Sequence, residues 1–391
     1  MSDARLHDAV RGDDHELAHL LALSGLTGLG PSRLRALVAA ERPSGAWSRV
    51  RSGDLPDALA RAVSDQVAAR WRRAAARVDP PAVLARHRGL GIRVVLEGDA
   101  AWPARLRDDP EPPALLLAAG ELEALARPTV AVIGTRRATP YGLDVATELG
   151  EALTGAGVGV VSGLARGIDA AAHRGALGTA GAPPVGVVAT GLDVVYPRSS
   201  ADVWDGVAAR GVLVSEAALG TDAERWRFPA RNRIIAALAD AVVVVESHER
   251  GGSMHTVAEA VRRDRPVLAV PGPIRSPSSR GTNRLVFDGA SPLCDVADVL
   301  ELLEIVTPDG AIATDDLPAG LEPLERAVLD RLGWEPRSQD EIVAALGVSL
   351  TEVARAVERL RRLHLVERQG AWICRRSRID GRPAGRTSVQ P

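Results

Sequence analysis

Six short, almost uninterrupted apolar runs occur in the middle of the chain, and stretches long enough to form helices separate them. The runs read TVAVIG, VGVVSG, VGVVATG, VLVSE, AVVVVES and PVLAVPG, in that order. Strands that are apolar on both faces and separated by helices are typical of a parallel sheet covered on both sides. We therefore predict an α/β domain with a doubly wound parallel sheet over roughly residues 128–303.

The residues before this sheet, 1–90, are rich in Ala, Leu and Arg and predict a domain of short helices. Within it, residues 20–40 read as a helix, a tight Gly-rich turn and a second helix opened by Pro31. This order resembles a helix-hairpin-helix (SAM-like) motif, whose turn amides can hold a DNA phosphate. An αα-hairpin that only packs fits the same residues equally well.

Three further segments follow the predicted sheet. Residues 305–320 are rich in Pro, Gly and Asp and predict a linker. Residues 321–375 predict three helices and two short β-like runs, which is the pattern of a winged helix. The third helix is basic enough for a DNA groove, but glutamates dilute that face, and such domains also contact proteins. The tail, residues 376–391, is Arg-rich, and we expect it to be disordered.

Composition excludes several classes of protein. The 391 residues carry a net charge of −2, so any binding of nucleic acid must come from local basic patches. Lysine is absent, which rules out a Walker A lysine and a lysine nucleophile. Cys294 and Cys374 have no CxxC partner, so we expect neither a disulfide nor a zinc site. The polar N-terminus and the absence of long apolar runs predict a cytoplasmic protein without a membrane span.

The carboxyl ends of the predicted strands carry Gly-rich or polar segments: GTRR, SGLARGID, TGLD, SE, ESHERGGS and PG. Ligands of open α/β sheets bind beyond these strand ends, where glycines permit close approach and helix N-termini point amides at anions. We therefore expect a phosphate pocket at this edge. The first strand leads into IGTRRATPYG, which lacks GxGxxG, so we expect no dinucleotide, and no other cofactor is indicated.

Five carboxylates near this edge are candidates for acid–base chemistry: Asp169, Asp193, Glu216, Glu246 and Glu259. No pair of them has a spacing that fixes a catalytic geometry, and each has a structural explanation, such as the place of Asp169 at a helix start. His173 stands among alanines, where a packed histidine is more common than a ligand. We expect no catalytic residues and no metal site.

Arginines are more informative than acids at this edge. Predicted loops and helix starts carry Arg136, Arg137, Arg166, Arg198, Arg225, Arg227, Arg231, Arg233 and Arg250. Tyr196, Trp226 and Phe228 are interleaved with them in a chain that has only 3% aromatic residues. Arginines for phosphates beside aromatic faces for bases are what single-stranded nucleic acid requires. A solvated basic rim with aromatics in the core is the alternative.

The segment FPARNRII, residues 228–235, needs a negative partner. It predicts a helix that starts near Pro229, which places Arg231 and Arg233 close to the positive end of the helix dipole. Glu216 or Glu246 would neutralise them from within the fold, and a phosphate would do so from outside. The sequence leaves both explanations open.

In their order along the chain, these motifs resemble the DNA-processing protein A (DprA, or Smf) family. The matching segments are GTRRATPYG, SGLARGIDAAAHRGAL, GLDVVYP, LVSE, FPARNRII, VVVVES, GGSMHT, AVPG and GTNRLVFDGA, across about residues 95–300. The resemblance implies a Rossmann-like domain, residues 91–304, between the helical and winged-helix domains. It also implies a non-enzymatic homodimer that binds single-stranded DNA and loads the RecA recombinase onto incoming DNA during natural transformation.

The resemblance also implies where DNA binds. Arg136 matches the arginine of the family's G-S/T-R loop, and Arg198 follows the Tyr-Pro pair. Arg225 and Phe228 match a basic and an aromatic position beside the strand. The residues expected to contact DNA are Gly134, Thr135, Arg136, Ser162, Gly163, Arg166, Gly167, Arg198, Arg225, Phe228, Arg231, Asn232, Arg233, Gly252 and Ser253.

Two other functions fit parts of the sequence. Phosphoribohydrolases that process nucleotides have a similar fold, and their PGGxGTxxE loop resembles GGSMHTVAE, residues 251–259. Met254 and His255 stand where that loop has a glycine. A DNA-binding regulator would rest on the winged helix alone, which leaves the pocket at the sheet edge without a role.

Overall fold

The computed structural model of the protein describes residues 4–305, 321–332, 337–363, 365–370 and 372–375. The chain divides into two compact units, Met1–Gly310 and Ala311–Pro391. Most of the predicted linker and all of the predicted tail lie outside the described residues, and the predicted domain boundaries remain predictions. No helix in the described ranges is long and apolar enough to cross a membrane.

One sheet organises the first unit. Its strands are β1 (Arg93–Val95), β2 (Leu116–Gly120), β3 (Thr129–Ile133), β4 (Gly159–Ser162), β5 (Val185–Val187), β6 (Val212–Ser215), β7 (Ala241–Val244), β8 (Val267–Ala269) and β9 (Ser291–Pro292). The spatial order is β1-β2-β6-β5-β4-β3-β7-β8-β9. All six Val-rich runs form strands, β3 to β8, and they pair in parallel, as predicted.

The sequence prediction missed the ends of the sheet. β2 pairs antiparallel with β6, and β1 pairs antiparallel with β2, while the two-residue β9 extends the other edge. β2 lies in the segment LLAAG. Leu and Ala favour helices, so a short run of them does not distinguish strand from helix without its neighbours.

Seven helices precede the parallel strands: α1 (Ala4–Val10), α2 (Asp14–Ser24), α3 (Gly30–Ala40), α4 (Pro43–Ser52), α5 (Asp57–Ala62), α6 (Asp65–Ala75) and α7 (Pro80–Gly89). α2, a Gly-rich turn and α3 form the predicted hairpin. Trp71 Nε1 donates to the carbonyl of Thr27 at 3.0 Å, and Arg33 donates to that of Gly28 at 2.8 Å. These two hydrogen bonds stabilise the turn through its carbonyl oxygens.

The helices among and after the strands are α8 (Pro140–Gly155), α9 (Ile168–Gly178), α10 (Ala201–Arg210), α11 (Arg227–Leu238), α12 (Ser253–Val261), α13 (Arg280–Phe287) and α14 (Val296–Leu302). They cover both faces of the sheet, because alternate residues of a strand point to opposite sides. On β3, Val130 and Val132 pack with α8 and α9, whereas Ala131 and Ile133 pack with α11 and α12. The doubly wound fold is thereby confirmed.

The second unit has the winged-helix arrangement that the sequence predicts. Its elements are α15 (Pro323–Leu332), β10 (Arg337–Ser338), α16 (Gln339–Leu346), α17 (Leu350–Arg362), β11 (Val366–Gln369) and β12 (Trp372–Arg375). β12 lies between β10 and β11 in an antiparallel sheet. Capping boxes start α16 and α17, where Ser338 pairs with Glu341 and Ser349 pairs with Glu352. β10 is too short to be recognised from sequence.

Candidate nucleic-acid interface

A pocket, here called the arginine pocket, opens at the carboxyl edge of the parallel strands. The loops that follow β3, β4 and β5 meet the first turns of α11 there. Its lining consists of Arg136, Gly163, Ala165, Arg166, Val188, Ala189, Thr190, Tyr196, Pro197, Phe228 and Arg231. The pocket lies at the strand edge where the sequence predicts a phosphate pocket, and it unites residues that lie up to 95 positions apart, from Arg136 to Arg231.

Two aromatic rings and one arginine form the mouth of this pocket. The Tyr196 and Phe228 rings lie 5.6 Å apart between centroids, tilted by 41°. The guanidinium carbon of Arg136 lies 5.0 Å from the Phe228 centroid. Arg136 and Tyr196 are exposed and Phe228 is half-buried. A cation held over a ring face leaves its outer N–H groups free for an anion.

Glycines bring the loops after β3 and β4 together. A Cβ on Gly134 would lie 2.5 Å from Ile168 Cγ1 and 2.7 Å from the carbonyl oxygen of Glu246. Gly167 has φ +81°, and a Cβ there would overlap the carbonyl oxygen of Thr135. Gly134, Thr135 and Gly167 therefore hold the Arg136 loop in place, and they do not line the pocket.

Asp169 holds the loop after β4 in place through a hydrogen bond. It is buried, and its carboxylate accepts from the amide of Gly163 at 3.1 Å. Burial raises the pKa of Asp169, while the charge of Arg231 opposes that shift. Ser162 is also buried, and its Oγ donates to the Val132 carbonyl at 2.7 Å. Ser162 is thus a support of the strand end, whereas Gly163 lies in the pocket wall.

Arg231 lies at the base of the arginine pocket. It is 7% exposed, and its Nη1 donates to the carbonyl of Val187, the last residue of β5. Burial lowers its pKa to about 10, and the nearby Arg136 adds to that effect, while Asp169 opposes it. A guanidinium with this pKa stays charged at neutral pH. A Cβ on Gly163 would collide with this group, which explains the glycine there.

Arg233 has a different role. It forms an ion pair with Glu216 and donates to the Glu111 carbonyl at 2.7 Å. Burial raises the pKa of Glu216, and Arg233 opposes the shift. Glu216 is therefore confirmed as an internal partner. Glu246 was the wrong alternative, since it accepts instead from the amide and hydroxyl of Thr139 at 2.9 and 2.6 Å.

The start of the FPARNRII helix also differs from the prediction. α11 begins at Arg227, so Pro229 is its third residue. The amides of the first turn have no intrahelical acceptor, so a proline costs nothing there. Arg231 and Arg233 consequently lie in the second turn, where the helix dipole disfavours cations less than at the first turn. Burial, more than the dipole, disfavours an uncompensated charge on these two arginines.

Several arginines at this edge are exposed and without an ion pair among the described residues: Arg136, Arg137, Arg166, Arg198, Arg225 and Arg250. Arg198 directly follows the pocket residue Pro197, and Arg225 lies three residues before Phe228 without lining the pocket. Arg227 differs, because it pairs with Glu224 at 2.9 Å and stacks on Trp226. Most other exposed arginines that have a partner within the described ranges pair with carboxylates. The unpaired cations of this edge are therefore available to an outside anion.

The remaining predicted contact residues lie apart from the arginine pocket. Asn232 is half-buried on α11, and Gly252 and Ser253 stand at the start of α12. The Ser253 and Ser247 hydroxyls are 2.8 Å apart and hydrogen-bonded. The prediction omitted the wall residues Val188 and Ala189, which its own rule about strand carboxyl ends, applied to β5, would have identified.

The candidate catalytic groups have internal partners. Asp193 accepts from Arg86 at 2.6 Å, and Glu259 pairs with Arg263. His173 is fully buried, with Nδ1 at 3.1 Å from the Asp169 carbonyl and Nε2 at 3.2 Å from that of Val185. Burial lowers the pKa of His173 to about 4, so it is a neutral, packed histidine, as predicted.

Comparisons with known proteins find similar sequences. The family model described as "DNA recombination-mediator protein A" matches residues 93–304, and the "DprA winged helix domain" matches residues 313–360. The chain is 36% identical over 361 residues to the putative DNA processing protein DprA of Mycobacterium tuberculosis (strain CDC 1551 / Oshkosh), covering 87% of this chain and 90% of that protein. Identity to DNA processing protein DprA of Bacillus subtilis (strain 168) is 35% over 224 residues, 57% of this chain and 75% of that one.

A solved structure extends the agreement to the fold. The X-ray structure of DNA processing protein A from Streptococcus pneumoniae superposes with a TM-score of 0.58 at 30% identity, and it covers 75% of this chain and 98% of that one. The matched family model spans the whole parallel sheet and the arginine pocket. On both sequence and fold, this chain belongs to the DNA recombination-mediator protein A (DprA/Smf) family.

Proposed function

We propose that the protein binds single-stranded DNA in the arginine pocket and acts as a recombination mediator. The observation that carries the proposal is the Tyr196–Phe228 ring pair, with Arg136 over it and further unpaired, exposed arginines around it. Arginines bind phosphates in a bidentate manner, and aromatic rings stack on bases of any sequence. Membership of the family supports the role.

Single strands suit this pocket better than duplexes. Phe228 is half-buried beneath Arg136, so a base must leave its stack to reach the ring. In a duplex the base faces are already stacked on each other, and only groove edges and phosphates are accessible. We expect little sequence preference, because phosphate contacts and stacking do not read base edges.

The residues predicted to contact DNA have different proposed roles. Arg136, Arg166 and Arg198 bind phosphates, with Arg225 at the periphery, and Phe228 stacks on a base. Arg231 receives a phosphate at the base of the pocket. Gly134, Thr135, Ser162, Gly163 and Gly167 shape the loops, Arg233 is a structural residue of α11, and Asn232, Gly252 and Ser253 lie outside the arginine pocket.

The wider role extends the proposal beyond DNA binding. We propose that the protein works in the cytoplasm as a homodimer and loads a RecA recombinase onto incoming single strands, as the resemblance to the family implies. What supports this part is the family membership. A RecA strand-exchange assay on strands already covered by single-strand-binding protein tests it: addition of the protein should shorten the lag, and an unchanged lag would contradict loading.

Binding rather than catalysis is the favoured function. Two of the candidate acids have internal partners, Asp169 in the Gly163 amide and Glu216 in Arg233. Glu259, the acid of the loop that resembles phosphoribohydrolases, is paired with Arg263. Incubation with nucleoside monophosphates is the check. Release of free base that disappears in Glu259→Gln would establish the hydrolase instead.

The winged helix gives weaker support for DNA binding. On α17, Arg359 pairs with Glu325 at 3.1 Å, and Arg361 pairs with Glu358 at 2.9 Å. These cations are already compensated, so α17 presents less free positive charge than its sequence indicates. The proposal therefore assigns the primary DNA site to the arginine pocket.

Titration of labelled single-stranded and duplex oligonucleotides at two salt concentrations tests the central proposal. Each phosphate that an arginine neutralises lowers the logarithm of the binding constant by roughly 0.7 per decade of salt for a single strand. We expect tighter binding of the single strand and a slope equivalent to about three or four phosphates. Equal or stronger binding of the duplex, with no salt slope, would refute single-strand binding.

A further inference from the structure

A second cavity of about 630 Å³, here called the hairpin cleft, lies beside the arginine pocket in the same unit. One wall is the turn between α2 and α3, residues 24–34, and the other wall contains the start of α11 and the residues after β6. Val188, Ala189 and Arg231 line both cavities. The two cavities therefore adjoin at these three residues.

The α11 wall contains buried polar atoms that lack a partner. Within the described part of the chain, Arg231 Nε and Glu216 Oε1 have no hydrogen-bond partner. Arg231 is more than nine-tenths buried and lines the cleft. Buried polar groups are satisfied in the great majority of cases, so the fold leaves hydrogen-bonding capacity of this guanidinium unused where Arg231 lines the cleft.

The hairpin wall offers donors. Its carbonyl side is already used, since Trp71 and Arg33 donate to the carbonyls of Thr27 and Gly28. For the amides of Gly28, Gly30 and Ser32, no acceptor occurs among the residues that the structure describes. α3 also has no side-chain cap at its first turn. Gly30 and Ser32 lie in the first turn of the 11-residue helix α3, where the helix dipole favours an anion, and Gly28 lies two residues before it.

The acidic residues that line the cleft are compensated by arginines, so they do not prevent an anion from binding there. Three glutamates of the walls are each paired with an arginine: Glu111 with Arg262, Glu216 with Arg233 and Glu259 with Arg263. Arg33, by contrast, has no ion pair within the described ranges. At the mouth, Trp226 is 57% exposed, with Arg227 4.3 Å from its ring centroid. The cleft thus repeats the combination of free donors and an aromatic face seen in the arginine pocket.

We propose that the hairpin cleft holds the continuation of the bound strand, with a base stacked on Trp226 and a phosphate on the amides of Gly28, Gly30 and Ser32. The inference rests on the proposed function, because it lengthens the same DNA site. A continuous strand, rather than a free nucleotide, is the ligand, since the two cavities share Arg231. The N-terminal hairpin then contributes to affinity only for strands long enough to reach it.

Length-dependent titration of oligothymidylates tests the inference. A strand of about 4 nucleotides fills one cavity, and a strand of about 20 spans both. Ser32→Glu places a carboxylate where the helix dipole stabilises it, so α3 persists while a phosphate is repelled. We expect Ser32→Glu and Trp226→Ala each to weaken binding of the long strand roughly tenfold and to leave binding of the short strand unchanged.

Matched controls decide the outcome. Ala82→Glu adds the same charge at an exposed position in the first turn of α7, outside the cleft, and Trp372→Ala removes an exposed tryptophan from the second unit. Equal affinities of Ser32→Glu and Ala82→Glu for the long strand would overturn the inference. So would a loss of thymidine monophosphate binding in Ser32→Glu without any loss for the long strand. If the unaltered protein bound neither strand, the proposed function itself would fail.

Discussion

The guanidinium of Arg136 lies over the ring of Phe228, with 5.0 Å between its central carbon and the ring centroid. The two residues are 92 positions apart, Arg136 in the loop after β3 and Phe228 in the first turn of α11. This pairing places a guanidinium that can donate to an anion beside the face of an aromatic ring. Removal of either member should therefore affect DNA binding without unfolding the sheet.

Arg136→Ala should weaken binding of single strands about tenfold or more, because charge-assisted hydrogen bonds contribute roughly 1.5–3 kcal/mol. The salt slope should fall by about 0.7, equivalent to one phosphate. Fluorescence titration at several salt concentrations measures both quantities. Arg137→Ala is the control, since Arg137 is exposed, adjacent and outside the pocket lining. Similar affinities of the two variants would move the site elsewhere.

Phe228→Ala should cost about 1–3 kcal/mol of binding free energy, the usual value of stacking on one base. The chain contains a control with the same local geometry. Phe287, the only other phenylalanine, also lies 5.0 Å from a guanidinium carbon, that of Arg284, and it is 79% exposed. Phe287→Ala should leave the affinity unchanged. If both variants bind equally well, the ring of Phe228 does not stack on DNA.

Arg233→Ala should destabilise the fold by roughly 3–5 kcal/mol, because it leaves the Glu216 carboxylate buried without its cation. Arg233→Met combined with Glu216→Gln removes both charges and should recover much of this loss. Urea unfolding of the single and double variants measures the difference. A double variant no more stable than Arg233→Ala would show that the ion pair is not the cause.

The Arg231→Ala variant should show whether Arg231 contacts DNA or stabilises the fold. Arg231 interacts with the buried Asp169 only through its charge and has no ion pair among the described residues, so its removal breaks none. We expect a smaller loss of stability than in Arg233→Ala and a larger loss of DNA affinity. Parallel urea unfolding and DNA titration compare them. Unfolding of Arg231→Ala under conditions where Arg233→Ala stays folded would assign Arg231 to the scaffold.

His173 should make stability depend on pH between about 6.5 and 4. Its pKa is lowered to about 4 in the folded protein, so between these values the unfolded chain binds more protons, and the free energy of unfolding falls as pH falls. The full effect is about 3 kcal/mol. His173→Gln should flatten this dependence, as measured by urea unfolding at several pH values. The raised pKa values of Asp169 and Glu216 act in the opposite sense but remain in both proteins. An equal slope in both would contradict the prediction.

Local sequence patterns were sufficient to predict the parallel sheet, its helices and the winged helix. The Val-rich runs and Gly-rich strand ends are short-range features, and the topology of an α/β sheet brings strand carboxyl ends to one edge. For this reason the arginines of that edge could be recognised from sequence. The antiparallel strands β1 and β2 could not, because LLAAG becomes a strand only beside β6.

The segment FPARNRII, residues 228–235, shows which features depend on the sequence alone and which depend on the tertiary structure. The sequence by itself determined that this segment is a helix that carries two arginines, for which it predicts negative partners. Only the tertiary structure decided that Arg233 pairs with Glu216, that Glu246 is engaged by Thr139, and that Arg231 stays buried beside Asp169 with an unpartnered nitrogen. The physical reason is that charge compensation depends on distance and burial in three dimensions, and residues from separate strands acquire those only when the sheet assembles.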